Sequence, residues 1–345
     1  MRNISSLSFL FFFLFFVIFS INCKKNKVNN KSEGVKDSIS LQIEDLTKKI
    51  KANAGNINNY YLRAKLYEKQ NKLELAIKDM FVLISIDSSH YEHYNYLGDM
   101  LFKSNSFKSS IYCFTKSIAL KPDLDYASVR LGEIFMYMAN RENRQGTNRK
   151  QSFFYLDKAL KVNKFNPKTY FLIAYNYLEL KDTAKAILNF QASIEADADY
   201  FDSYMNLGLI YAAKKNKLAV TYYENALRLN PISIEVLYDI GKYYQDIDSL
   251  NKAIEYYRQI LEQVEDHKST NYNLGYIYFR LRQFDKSVQY FSTSISKNPY
   301  YKQAYYGRGL SYKNLGKKDL ASKDFKKILE IDPTDKDAAT ELKKY

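Results

Sequence analysis

The chain has 345 residues, 46% of them hydrophobic and 26% charged, which suits a folded protein and excludes a disordered polymer. Its two cysteines exclude a disulfide framework. Its formal charge of +14 raises nucleic acid as a partner class. The basic residues are dispersed, however, in turn segments such as 24–31, 141–150, 214–217 and 313–318, with no nucleic-acid-binding motif beside them. A nucleic-acid partner is therefore not expected, and anionic lipid or cell-wall polymer accounts better for the lysines.

Residues 1–22 read as a targeting segment. Arg2 supplies a positive start, and 7–19 is an almost unbroken Leu/Phe/Val/Ile run. A spanning helix needs about 20 apolar residues, and this run is shorter. It ends at Ser20-Ile21-Asn22-Cys23, followed by Lys24-Lys25. A cysteine placed directly after such a run resembles the lipobox of bacterial lipoproteins, although Ser20 and Asn22 depart from the usual Leu and small residue. The resemblance implies that Cys23 is acylated and becomes the mature N-terminus, a tether that several acyl chains make stable. Lys24, where some lipoproteins carry an acidic sorting residue, points to an outer-membrane lipoprotein facing the periplasm. Cleavage without lipidation, giving a secreted or soluble periplasmic protein, is the alternative. Cys113, beside Phe114, reads as a buried structural thiol.

Residues 23–40 are polar and predict a flexible tether. In 41–56, Leu41, Ile43, Leu46 and Ile50 predict a capping helix. From 57 to 335 the chain repeats one unit, clearest at 302–335. There Tyr305, Arg308, Gly309 and Tyr312 mark one face of a first helix, and Ala321, Phe325, Ile328 and Leu329 one face of a second. Gly316 predicts the turn between them and Pro333 the end of the unit. A small residue recurs in the first helix at Ala64, Gly98, Gly132, Ala174, Gly208, Gly241, Gly275 and Gly309. A second small column runs Ala76, Ser110, Ser152, Ala186, Ala219, Ala253, Ser287, Ala321. An apolar column runs Tyr67, Leu101, Phe135, Tyr177, Tyr211, Tyr244, Tyr278, Tyr312. The eight-residue excess in the third unit falls in 139–151, polar and basic, and predicts an extension or loop between that unit's helices. Residues 336–345 predict a C-terminal capping helix.

These columns resemble the tetratricopeptide repeat over about 57–335, as eight units. The family's first-helix tryptophan is absent; Tyr60, Tyr94, Tyr170, Tyr204 and Tyr305 take its place, while Ser128, Leu237 and Asn271 depart further. The resemblance implies an all-α, right-handed superhelical solenoid of helix-turn-helix repeats with terminal caps. It also implies a concave groove, lined by first helices, that binds proteins or peptides. Mapped residue by residue, that groove comprises Phe171, Tyr175, Leu178, Met205, Leu209, Tyr238, Lys242, Tyr272, Tyr276, Phe279, Tyr306 and Leu310. Such a run of Tyr, Phe, Leu and Met is a candidate apolar docking surface, against the alternative that the rings merely pack between neighbouring helices. The Lys/Asn/Arg clamp with which related repeats hold chaperone C-termini is not found in consecutive units.

Catalytic chemistry has no constellation behind it. His90 and His93 stand three apart in a turn without a third metal ligand at a defined spacing, and read as solvated. Gly309 and Gly316-Lys317-Lys318 have the wrong interval for a phosphate loop, and Lys318 stands where Ser or Thr is needed. Scattered Asp and Glu read as solvated helix faces. The sequence thus predicts a non-catalytic scaffold or adaptor, without cofactor or metal, lipid-anchored in a bacterial cell envelope and holding a peptide or helix of a partner in its aromatic groove. A cell-wall or carbohydrate-binding module is the alternative.

Overall fold

The computed structural model describes residues 31–141 and 145–344. The targeting segment 1–22 and Cys23 lie outside the described residues. Helix α1 (Lys31–Ala52) precedes eight helix pairs. The first two pairs are α2 (Ile57–Lys69) with α3 (Leu73–Ile86), and α4 (Tyr91–Lys103) with α5 (Phe107–Leu120). Then come α6 (Tyr126–Arg141) with α7 (Gln145–Val162), and α8 (Pro167–Glu179) with α9 (Thr183–Ala196). Next are α10 (Phe201–Ala213) with α11 (Leu218–Leu229), and α12 (Ile234–Asp246) with α13 (Leu250–Gln263). The last pairs are α14 (Lys268–Arg280) with α15 (Phe284–Lys297), and α16 (Lys302–Asn314) with α17 (Lys318–Ile331), closed by α18 (Lys336–Leu342). The chain is an all-α helical repeat. It divides into two compact units, the first ending at Leu120 and the second running from Lys121. Among the described residues no helix is long and apolar enough to cross a membrane.

Local chemistry sets each pair. Within seven of the eight, the first helix ends in a left-handed residue: Asn71, Asn105, Lys181, Lys215, Asp248, Arg282 or Gly316, with φ between 52° and 73°. One residue further on, the backbone N–H reaches back to the carbonyl of the apolar column, as in Lys72 to Tyr67 at 2.8 Å, Asp182 to Tyr177 at 2.9 Å and Lys317 to Tyr312 at 2.9 Å. This is the Schellman closure, which satisfies a helix-end carbonyl and reverses the chain. Only one of the seven is glycine, so composition conceals a turn that backbone geometry repeats.

Each glycine of the first-helix column faces an aromatic ring or, at Gly132, the Leu156 side chain rather than bare backbone. A Cβ on Gly208 would stand 2.4 Å from Tyr223, and one on Gly241 2.6 Å from Tyr257. The space the small residue leaves is taken up by a large side chain: Phe114, Phe190, Tyr223, Tyr257, Phe291 and Phe325 are all essentially buried. Where the second small column is serine, its hydroxyl donates to the glycine's carbonyl across the pair: Ser110 to Gly98 (2.7 Å), Ser152 to Gly132 (2.7 Å) and Ser287 to Gly275 (2.8 Å). A buried hydroxyl is thereby satisfied.

Two details differ from the sequence expectation. The helix before the first repeat starts at Lys31, so 31–40 is helical rather than tether, and Ile39, Ile43, Leu46 and Ile50 form its packing stripe. Leu41 lies off that stripe, 64% exposed. The excess residues of the third unit lengthen both of its helices, to 16 and 18 residues. Arg149 of the lengthened α7 is buried and donates to Asn176 (2.8 Å) and Asn140 (2.6 Å).

Candidate groove of the second unit

Within the second unit, successive first helices touch: α6 with α8, α10 with α12, and α14 with α16. No pair of second helices meets to that extent among the described residues. A stack whose first helices crowd together curves towards them, so the first-helix face is the inner one.

Two aromatic groups line that face. In one, Phe171 packs on Tyr175 (5.2 Å between ring centres) and on Tyr200 (5.5 Å), with Phe190 behind. In the other, Tyr272 packs on Tyr301 at 5.0 Å, and Lys268 lies 5.4 Å over the Tyr301 ring. Between them stands Tyr238, against Tyr257 and His267, its hydroxyl accepting from Asn273 at 3.1 Å. The rings are anchored by such contacts with one edge open, which pre-organises a surface at little entropic cost. Their hydroxyls share a low-dielectric setting. Burial pushes the Tyr175 phenol up to about 12, helped by the charges of Asp202, Glu179 and Glu235, and pushes Tyr301 to about 12.

At the centre are three carboxylates, Asp202 on α10 and Glu235 and Asp239 on α12. Burial first, and Glu235 second, hold the Asp239 carboxyl up to about 7. Glu235 is raised by burial and then by Asp202, and Asp202 by burial, with Lys168 opposing. None of the three side chains makes a hydrogen bond or ion pair with another described residue.

The predicted groove residues divide accordingly. Tyr276 is the most open ring, 40% exposed. Phe171, Tyr175, Tyr238, Tyr272 and Tyr306 are half-buried, and Tyr306 meets Phe325 edge-on. Leu178, Leu209 and Leu310 pack partly into the core. Met205 is a correction: only 5% exposed, it packs with Tyr204 and Tyr223 and offers no docking surface. Lys242 is held by Asp246 one turn along α12. Phe279 sits at the end of α14 against Phe284. Tyr175 is wedged between Phe171 and Phe190.

The sequence reading missed Tyr200 and Tyr301, which stand in the turns just before α10 and α16. The reading of scattered Asp and Glu as solvated helix faces holds for Asp202 and Glu235, which are exposed, but not for Asp239, which is half-buried on α12. Of the histidines, His90 is exposed and pairs with Asp87, whereas His93 is half-buried against Tyr61 in the first unit. His267 caps α14 through Thr270.

Sequence models of the tetratricopeptide repeat match residues 167–200, 201–233, 238–302 and 303–335. Proteins built from such repeats are typically non-catalytic scaffolds that bind proteins or peptides. Among curated proteins, the uncharacterized protein ycf37 of Pyropia yezoensis is 28% identical over 128 residues, 34% of this chain and 71% of that protein. Several solved structures are similar. The crystal structure of MamA has 21% identity and covers 51% of this chain and 92% of its own, with a TM-score of 0.42. YrrB, described as a TPR protein with an unusual peptide-binding site, has 22% identity, 56% and 97% coverage and a TM-score of 0.40. The APC/C hetero-tetramer Cut9-Hcn1 has 17% identity, 87% and 58% coverage and a TM-score of 0.46.

Proposed function

From tetratricopeptide repeats over most of the second unit, we propose that the chain is a protein-interaction adaptor that holds a segment of a partner protein against the inner face of α8–α16. The observation that carries the proposal is the run of anchored but open-edged rings, Phe171, Tyr175, Tyr238, Tyr272, Tyr276 and Tyr306, on successive first helices. Aromatic rings fixed by their neighbours are the usual energetic centres of protein interfaces. The sequence before the helices adds a location: acylation at Cys23 would tether the adaptor to a bacterial envelope membrane. The acidic centre of the groove disfavours an anionic cell-wall polymer as its occupant.

Two experiments test this reading. Random peptides displayed on phage and selected on the immobilised chain should lose binding at least about tenfold on the Tyr276→Ala, Leu310→Ala double variant, and keep it on Leu188→Ala, an outward position. Selected peptides indifferent to the double variant would place binding elsewhere. For the tether, intact mass of the membrane-extracted protein should show an N-terminus at Cys23 carrying acyl mass, absent from Cys23→Ala. An unacylated, soluble product would remove the membrane from the proposal.

A further inference from the structure

Short turns join the helices of the second unit, so each pair is antiparallel and every first helix runs the same way. The turns inside the pairs therefore fall on one edge of the stack, and the turns between pairs on the opposite edge. Their charges are segregated. From α8 to α17, the turns inside the pairs carry Lys181, Lys214, Lys215, Lys217, Arg282 and Lys317 against Asp182 and Asp248. From α9 to α18, the turns between pairs carry Asp197, Asp199, Glu265, Asp266, Asp332 and Asp335, and no Lys or Arg.

Pairing sharpens the contrast. On the acidic edge, Asp199 meets Arg228 at 3.1 Å, Asp266 is paired with Lys297, and Lys302 holds Asp332 and Asp335. The two acids of the basic edge are also answered from within the chain, Asp182 by Lys185 at 3.1 Å and Asp248 by Arg280 at 2.9 Å. Lys181, Lys214, Lys215, Lys217 and Arg282 are exposed, and none of these five side chains makes an ion pair or hydrogen bond with another described residue. The chain thus neutralises its own acids at both edges and leaves cations over at one.

A second observation is independent of charge. In three of these turns an exposed leucine adjoins the unpaired cation: Leu180 before Lys181, Leu218 after Lys217 and Leu281 before Arg282. An open cleft at the same edge is lined by Phe279, Arg280, Arg282, Phe284 and Asn314. Cations interleaved with exposed apolar side chains suit an anionic bilayer, where the cations meet headgroup phosphates and the apolar groups reach the acyl boundary. A nucleic acid or soluble polyanion would gain from the lysines but not from the leucines. The opposite edge has exposed apolar residues too, Ile232 and Tyr300, but its acids oppose an anionic surface, so charge decides which edge approaches.

We infer that the edge formed by the turns inside the pairs, from α8 to α17, lies against an anionic phospholipid surface. This rests on the tether reading above for the presence of a membrane, and goes beyond it: the tether holds one end of the chain, whereas the edge orients the second unit. With that edge on the lipid, the acidic turns point away from it and the inner face of the first helices stands across the membrane plane, open to a partner from the side.

The chain has no tryptophan, so one introduced indole reports its own surroundings. Full-length chains carrying Leu180→Trp (55% exposed, basic edge) or Ile232→Trp (70% exposed, acidic edge) are mixed with vesicles of phosphatidylglycerol and brominated phosphatidylcholine in equal parts. Bromine quenches an indole that reaches the acyl boundary, and both chains share one N-terminus, so the difference between them reads the edge. Emission from position 180 should fall at least about twofold, and recover in about 1 M salt, where screening leaves a range of about 3 Å. Emission from position 232 should stay unchanged. Exchanging phosphatidylglycerol for phosphatidylcholine should abolish the quenching, and so should Lys214→Glu with Lys217→Glu, which alters exposed side chains that touch no other and so keeps the fold. Quenching at 232 equal to that at 180, or quenching at 180 that survives the lipid exchange or the lysine variant, would overturn the inference. So would no quenching at 180; if that indole then responds to soluble polyphosphate, the occupant of the edge is a soluble polyanion. The phage selection and the mass of the N-terminus are read separately, so the edge can fail while groove and tether stand.

Discussion

Glu235 and Asp239 stand one turn apart on the inner face of α12, and the burial of Asp239 together with the charge of Glu235 holds its carboxyl up to about 7. Folded Asp239 therefore keeps its proton at pH values where the unfolded chain has lost it. Between about pH 4 and pH 7 the native state binds more protons, so this group's contribution to stability falls as pH rises through that window and levels off above it. Asp202 and Glu235, both raised, act in the same sense. Asp239→Asn should flatten the pH dependence of denaturant unfolding between pH 4 and 7, and raise stability at pH 8 by on the order of 2 kcal/mol. A variant less stable at pH 8 would mean that Asp239 has a partner in the folded chain.

Glycines inside and outside the repeated column give substitutions of opposite sign. Gly→Ala inside a helix gains about 1 kcal/mol from propensity alone. At Gly146, where nothing lies within 4 Å of the new Cβ, thermal unfolding should show a gain of up to about that size. At Gly208 the Cβ would meet the buried Tyr223 ring at 2.4 Å, and overpacking should outweigh propensity for a net loss of about 1–2 kcal/mol. Equal effects at the two sites would mean that the column does not set the helix spacing.

The turn column predicts a stabilising change to glycine. Lys215 holds a φ of 52° and is exposed. A left-handed residue with a Cβ costs roughly 1–2 kcal/mol, of which glycine gives back part to its looser unfolded state. Lys215→Gly should raise the unfolding midpoint by about 0.5–1 kcal/mol equivalent, whereas Asn71→Gly should change little, because Asn tolerates that conformation. A destabilised Lys215→Gly would show that this side chain contributes more than its backbone geometry reveals.

The first and last repeats share a buried ion pair. Arg308 donates to both oxygens of Asp324 (2.9 and 2.7 Å) and to Ser292 (3.0 Å). Arg63 does the same to Asp79 (2.8 and 2.6 Å) and Thr47 (2.9 Å). Inner repeats place Leu or Ile at the arginine position, for example Leu97, Leu207 and Leu274. Asp324→Ala should cost about 3 kcal/mol by stranding the guanidinium, and Arg308→Met with Asp324→Leu should recover most of it. An additive double variant would mean the pair is not coupled.

The repeat was legible because three columns recur with near-constant spacing: the small first-helix residue, the small second-helix residue, and the apolar residue whose carbonyl closes the turn. The ring that the first small residue admits emerged only from the structure. The turn itself was legible only at Gly316, since Lys181, Asp248 and Arg282 take the same backbone conformation without advertising it. The groove was partly legible. Its rings lie one turn apart on first helices, but spacing could not show that Met205 points into the core or that Tyr175 is wedged beside Phe190. Asp239 was misread as solvated, because an Asp on a helix face has the same sequence appearance whether or not its neighbours cover it.

The most direct test of the groove is a photo-crosslinking residue placed at position 276, on the inner face, and separately at 188, on an outer one. Irradiated with a peptide selected on the immobilised chain, the chain substituted at 276 should form a covalent adduct, and the chain substituted at 188 should not. Adducts from 188 and none from 276 would contradict the assignment of the inner face as the site of partner capture.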